Sequence, residues 1–230
     1  MAFDYELYLY LIRKHPNWHW QRILLACSDE EWNSLTSHIK LLKRKTQPEN
    51  TSQFTSTLKE MLEHVNRLKW TDTIKGYLWY RIEQTLIEEL KPQVKTYELT
   101  WDDIDEALKP LRDKGLKITV EHSDIKYYAT DVPTVYRLAQ LYPGRYRPFK
   151  PEAFDCDDHA REFKAWMAKL GVTAVSCTKG TTPIGLHAFN LNFFKSSNTN
   201  FILFMEPQLA ILWNIDRMEK KGYIPRKVEL

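Results

Sequence analysis

Between residues 155 and 205 the apolar residues change period. Cys156, Ala160, Phe163, Met167 and Leu170 recur every three or four positions, which places them on one face of an α-helix. Asp155 precedes this run as an N-cap, and Gly171 follows it as a C-terminal stop. Residues 187–194 then alternate with the two-residue period of a strand, as do residues 201–205, and the polar stretch 195–200 joins them as a turn. A helix followed by a hairpin that must share its core restricts this part of the chain to an α+β packing.

The earlier part of the chain reads differently. Ser28 with Glu31 forms a capping box, and the helix it starts carries Trp32, Leu35, Ile39 and Leu42 on one stripe. Phe54, Leu58, Met61, Leu62, Val65 and Leu68 give a second helical face; Ile74, Leu78, Ile82 and Leu86 give a third. Pro92 ends it, because proline cannot continue the hydrogen-bond ladder. The expected organisation is an all-helical N-terminal region, residues 1–92, followed by an α+β domain, residues 93–230. In that domain residues 101–108 read as a short helix, 117–121 and 126–129 as strands, and Asp131 as the cap of a helix through Tyr136, Leu138 and Leu141, stopped by Pro143 and Gly144.

Composition excludes several classes. The 230 residues are 43% hydrophobic and 27% charged, which argues against disorder. A net charge of +3, not concentrated in either part, is too weak to indicate a nucleic-acid partner. No segment reaches the run of about 18 apolar residues that spans a bilayer, and the start of the chain lacks the basic-then-apolar pattern of a secretory signal. Three cysteines, Cys27, Cys156 and Cys177, cannot form a disulfide framework, so a cytoplasmic location is expected.

The chemistry concentrates on Cys156. In the first turn of its helix a thiolate meets free backbone N–H groups and the positive dipole end. The carboxylates of Asp155, Asp157 and Asp158 oppose a further negative charge, so a nearby cation is needed. His187 is the candidate. If Phe194 faces Phe201 in the hairpin, Phe189 faces Glu206 and His187 lies diagonal to Glu206 on the same sheet face, at about 7 Å along the backbone. A one-residue slip sends Glu206 to the other face. A thiol to attack a carbonyl carbon, an imidazole to take and return its proton, and a carboxylate to orient the imidazole form a nucleophilic set. The Cys156 N–H supplies one oxyanion donor.

Asp155 to Asp158 (Asp-Cys-Asp-Asp), His187 to Asn190 (His-Ala-Phe-Asn) and Glu206 to Gln208 (Glu-Pro-Gln), in that order, resemble the papain-like cysteine protease domain at the C-terminus of certain fungal agglutinins, which has relatives in bacterial and phage proteins. The resemblance covers residues 93–230. It implies a papain-like fold, with a cysteine-bearing helix packed on an antiparallel sheet. Cys156, His187 and Glu206 then stand as nucleophile, base and orienting acid, and Asp155, Asp157, Asn190 and Gln208 as auxiliary positions. Two departures stand out. His159 occupies a position where the family motif has an aromatic, and residues 144–154 contain no glutamine for the oxyanion hole, leaving Gln140 farther upstream. The N-terminal region does not resemble the agglutinin sugar-binding domain.

The resulting expectation is a thiol hydrolase of the cysteine peptidase type, acting by acyl transfer on peptide or isopeptide amides, with a protein or peptide substrate and no cofactor. Its alternative is a catalytically inactive papain-like fold serving as a protein-interaction module, phage-encoded and located in host cytoplasm or virion. A peptidoglycan-cleaving thiol enzyme ranks lower, because Asp157 and Asp158 stand where small residues are usual. The acids Asp155, Asp157, Asp158 and Glu206 leave a divalent cation open, although a helix cap explains the cluster as well. Trp18, Trp20, Trp32, Trp70 and Trp79 load the N-terminal region with aromatics suited to a core or a protein partner. Cys27 and Cys177 read as structural, His159 as facing solvent, residues 142–149 as a cleft wall, and residues 180–185 as a loop or turn before the His187 strand.

Overall fold

The computed structural model describes residues 72–147, 155–183, 185–196 and 199–230, together with residues 59, 62, 63 and 66. The chain divides into two compact units, Met1–Glu89 and Leu90–Leu230. Helix α1 (Asp72–Leu90) buries Trp79, Ile82 and Leu86, and Pro92 follows it in a single 3-10 turn, Lys91–Gln93. The capping box at Ser28, the Trp32 stripe, Cys27 and the face from Phe54 to Leu68 lie outside the described residues, except for Leu62, which is buried.

In the second unit the elements follow in the order β1 (Tyr97–Leu99), α2 (Trp101–Asp113), β2 (Thr119–Glu121), β3 (Tyr127–Ala129), α3 (Val132–Leu141), α4 (Cys156–Lys169), β4 (Cys177–Thr182), β5 (Gly185–Ser196), β6 (Thr199–Glu206), β7 (Ile211–Trp213), α5 (Ile215–Lys220) and β8 (Ile224–Glu229). This is a mixed α+β architecture. Strands β1 and β3 form an antiparallel pair, and a six-stranded sheet runs β2-β8-β4-β5-β6-β7, antiparallel except between β2 and β8.

Local chemistry explains the helix starts. Thr100 and Asp103 close a capping box at α2, and Asp131 accepts from the Thr134 N–H at α3. Helix α2 extends past the expected eight residues and carries Pro110 within it. Its buried Ile104, Leu108 and Leu111 join Phe189, Leu191 and Phe193 of β5 and Phe204 of β6 in one core. Helix α4 takes the other face of β5, where Ala188 packs with Ala160 and the Asn190 amide donates to the Ala160 carbonyl at 2.8 Å. Because successive strand residues point to opposite faces, odd-numbered positions of β5 face α2 and even-numbered ones face α4.

One expectation is corrected in extent: the turn before the His187 strand lies at Pro183, between β4 and β5. Residues 180–182 do not form a loop before the His187 strand: Gly180, Thr181 and Thr182 belong to β4 and pair with His187, Leu186 and Gly185. Glycine and proline signalled a turn, but pairing on both sides, with β5 and β8, outweighs the local signal.

Candidate functional site

Asp155 begins the site. Its carboxylate accepts from the Asp157 N–H at 3.2 Å, and the Asp158 carboxylate accepts from the Asp155 N–H at 3.3 Å, a reciprocal capping box that fixes the first turn of α4. Cys156 is the first residue of that turn. It is half-buried and packs against Ala160, Cys177 and Ala188. Burial pushes the Cys156 thiol up, the charges of Asp155 and Asp157 push the same way, and the Ala188 N–H opposes them. The sequence suggested a nearby cation that would lower the thiol; the surroundings raise it instead.

His187 and Glu206 meet as the hairpin register requires. Phe194 pairs with Phe201 and Asn190 with Met205, so Glu206 falls on the same face as Phe189 and His187. The imidazole and carboxylate join through Nε2 and Oε2 at 2.8 Å, with side chains 17% and 6% exposed. The bond engages Nε2 and leaves Nδ1 as the other ring nitrogen. Tyr223 stands edge-on to His187, with ring centroids 5.8 Å apart at 71°. Burial raises the Tyr223 hydroxyl, and Glu206 adds to the shift.

Cys156 and His187 meet at neighbouring positions of β5. Cys156 contacts Ala188, the residue after His187, and His187 shares a sheet face with Phe189 and Glu206. Among the described residues the thiol makes no hydrogen bond to the imidazole. The structure thus joins His187 directly to Glu206 and brings Cys156 against the next residue along the strand.

The auxiliary positions are held by other contacts. The Gln140 amide donates to the Ala210 carbonyl at 3.2 Å, and its carbonyl accepts from Arg145 at 2.8 Å. Asn190 donates to the carbonyls of Ala160 at 2.8 Å and Ser176 at 2.7 Å, fastening α4 to the sheet. Asp157 pairs with Arg161 one helical turn along. Gln208 is half-buried in the turn after β6. Ligand oxygens of Asp155, Asp157 and Asp158 lie within 4.8 Å of one another, but capping and the Arg161 pair account for all three, and Glu206 is engaged by His187.

Two readings change. His159 does not face solvent: it is 1% exposed, and burial together with the Arg147 charge lowers it to about 4. Tyr142 stacks edge-on against Phe163 and Arg147 pairs with Glu162, so residues 142–147 brace α4; residues 148–154 lie outside the described set. Sequence reading missed Tyr223 and Trp213 altogether, since no period or motif was followed beyond Gln208. The short apolar run Ile211-Leu212-Trp213 was the available signal.

No protein-family model matches the chain, and no curated protein matches it. Similar solved structures include a PSL1a–E64 complex, at 22% identity and a TM-score of 0.48, covering 58% of this chain and 51% of that one. Another is a Polyporus squamosus lectin titled as bound to the epitope Neu5Acα2-6Galβ1-4GlcNAc, at 22% identity and a TM-score of 0.47, covering 58% and 49%. The match spans about half the length of these chains. These findings correct the family assignment made from sequence. The structures bear the name of a lectin rather than a protease, and no protease family matches. The recognition as a papain-like cysteine protease is withdrawn, and with it the peptidase and hydrolase function, its peptide substrate and the inactive interaction-module alternative.

Proposed function

We propose that Cys156, His187 and Glu206 form the functional centre of residues 93–230, a proton-transfer site that serves one cysteine sulfur. The observation that carries this reading is the His187–Glu206 bond, made across two strands at the position where β5 also meets Cys156. The carboxylate orients the ring and holds the proton on Nε2, and Nδ1 is the nitrogen that receives the thiol proton. When an electrophile reaches Cys156, the sulfur forms the new bond, the leaving group departs with its electron pair, and the proton passes to Nδ1. Peptide cleavage and hydrolysis form no part of this reading.

The finer architecture belongs to the same proposal. A cysteine-bearing helix against an antiparallel sheet is papain-like in shape, without implying protease activity. The domain division at Pro92 and an all-helical region before it, offering a surface for a protein partner, follow from the spacing of apolar residues. Free thiols at Cys156 and Cys177 suit a reducing, cytoplasmic setting. No helix among the described residues is long and apolar enough to cross a membrane.

The test is competitive alkylation by iodoacetamide at neutral pH, read by peptide mass spectrometry, with Neu5Acα2-6Galβ1-4GlcNAc binding measured on the same protein. Cys156 is expected to be alkylated before Cys27 and Cys177, with or without the trisaccharide. Alkylation of Cys156 no faster than the other two removes the proposal. Trisaccharide binding that survives Cys156→Ala would then favour a sugar-binding role.

A further inference from the structure

We infer that Tyr223 is a positioning residue for the His187–Glu206 pair, its ring covering their hydrogen bond against water. The inference rests on the site proposed above and adds a residue from a part of the chain that supplied no motif. Tyr223 immediately precedes β8, yet its ring packs on the face of the sheet that carries the pair. It lies edge-on to four rings at once: His187 at 5.8 Å, Phe189 at 5.8 Å, Phe204 at 4.7 Å and Trp213 at 5.6 Å, with interplanar angles of 67° to 76°. Phe189, Phe204 and Trp213 form a wall, and Tyr223 bridges from that wall to the imidazole.

The backbone before it is fixed as well. Gly222 has a φ of +76°, and a Cβ there would meet the Pro183 ring at 2.7 Å, so only glycine lets the chain pass Pro183 and deliver Tyr223 to His187. An imidazole–carboxylate bond strengthens as water is excluded, because the local dielectric falls. The titratable groups facing the ring are His187 and Glu206. The ring supplies the cover and the hydroxyl faces the Glu206 carboxylate, so phenylalanine should keep the cover while losing that contact, and a small aliphatic residue should lose both.

The experiment follows the His187 Nε2 proton by nitrogen-resolved NMR, assigned by its loss in His187→Gln. In the wild-type chain this proton should exchange slowly enough with water to be observed. Tyr223→Phe should keep that protection, and Tyr223→Val should exchange about tenfold faster or more. A wild-type proton that exchanges as fast as that of free imidazole overturns the inference, as does a Tyr223→Val protein with wild-type protection. The wild-type and Tyr223→Phe measurements decide the matter if Tyr223→Val does not fold. Cys156 alkylation is read separately, so failure of the cover and failure of the site give different results.

Discussion

The Cys156 sulfur faces the backbone N–H of Ala188, one residue along β5 from His187. The thiol and the imidazole are therefore held at adjacent positions of a single strand. This relationship ties the chemistry of Cys156 to the geometry of the sheet and to the first turn of α4, and each of these can be perturbed alone.

Reactivity of Cys156 should depend on pH in a definite direction. Burial and the charges of Asp155 and Asp157 raise the thiol above its ordinary value. Its alkylation rate should therefore keep climbing beyond the midpoint of an exposed cysteine, about 8.5. Asp157→Asn removes one of the raising charges, so it should shift the profile to lower pH. Iodoacetamide rates from pH 6 to 10 (roughly the span in which thiols titrate) check both statements.

His159 should make the second unit acid-sensitive. It is neutral in the fold and lowered to about 4, against an ordinary value of 6.5. Above pH 6.5 neither state is protonated and the group contributes nothing to the pH dependence. Between those two values the unfolded chain binds a proton that the fold refuses, so stability falls as pH drops, by on the order of 3 kcal/mol in total. His159→Phe should flatten the urea-unfolding stability between pH 7 and 5 relative to wild type.

Gly180→Ala should be strongly destabilising. A Cβ at Gly180 would lie 2.3 Å from the Ile224 carbonyl oxygen and 3.1 Å from the Phe189 ring, at the irregularity where β4 changes register against β8. The backbone atom cannot swing away, and overpacking of this kind costs about 1–3 kcal/mol. Because Gly180 pairs with His187, denaturant unfolding should show lost stability and NMR should show a changed His187 environment.

Asn190→Ala should loosen the cysteine-bearing helix. The substitution removes two buried hydrogen bonds, to the carbonyls of Ala160 and Ser176, at about 0.5–1.5 kcal/mol each. Amide exchange in the first turns of α4 should accelerate well beyond that in β6.

Part of this fold is legible in the sequence. Asp155 announces the start of α4 because an N-cap is a local device, and the facing of Phe194 with Phe201 follows from alternation on both sides of one turn. What depends on distant parts of the chain was not legible. Gly180 and Pro183 read as a turn, although β8, from the far end of the chain, draws Gly180 into the sheet. His159 reads as a solvent-facing residue beside charged neighbours, but residues 142–147 brace its helix and it is buried. Tyr223 carries no motif, and its place beside His187 emerges only when β8 pairs with β4. The family assignment failed for a related reason: three short motifs in order describe local chemistry, whereas family membership requires likeness along the chain.

The most direct test is the coupling of Cys156 to the His187–Glu206 pair. Cys156 alkylation rates would be measured at pH 7.5 (about one unit below an ordinary thiol's midpoint) in wild type, His187→Ala, Glu206→Gln and the double variant. The account predicts that each single variant slows the reaction about tenfold or more and that the double variant is no slower than His187→Ala. Equal rates in wild type and His187→Ala, with both proteins folded, would contradict it.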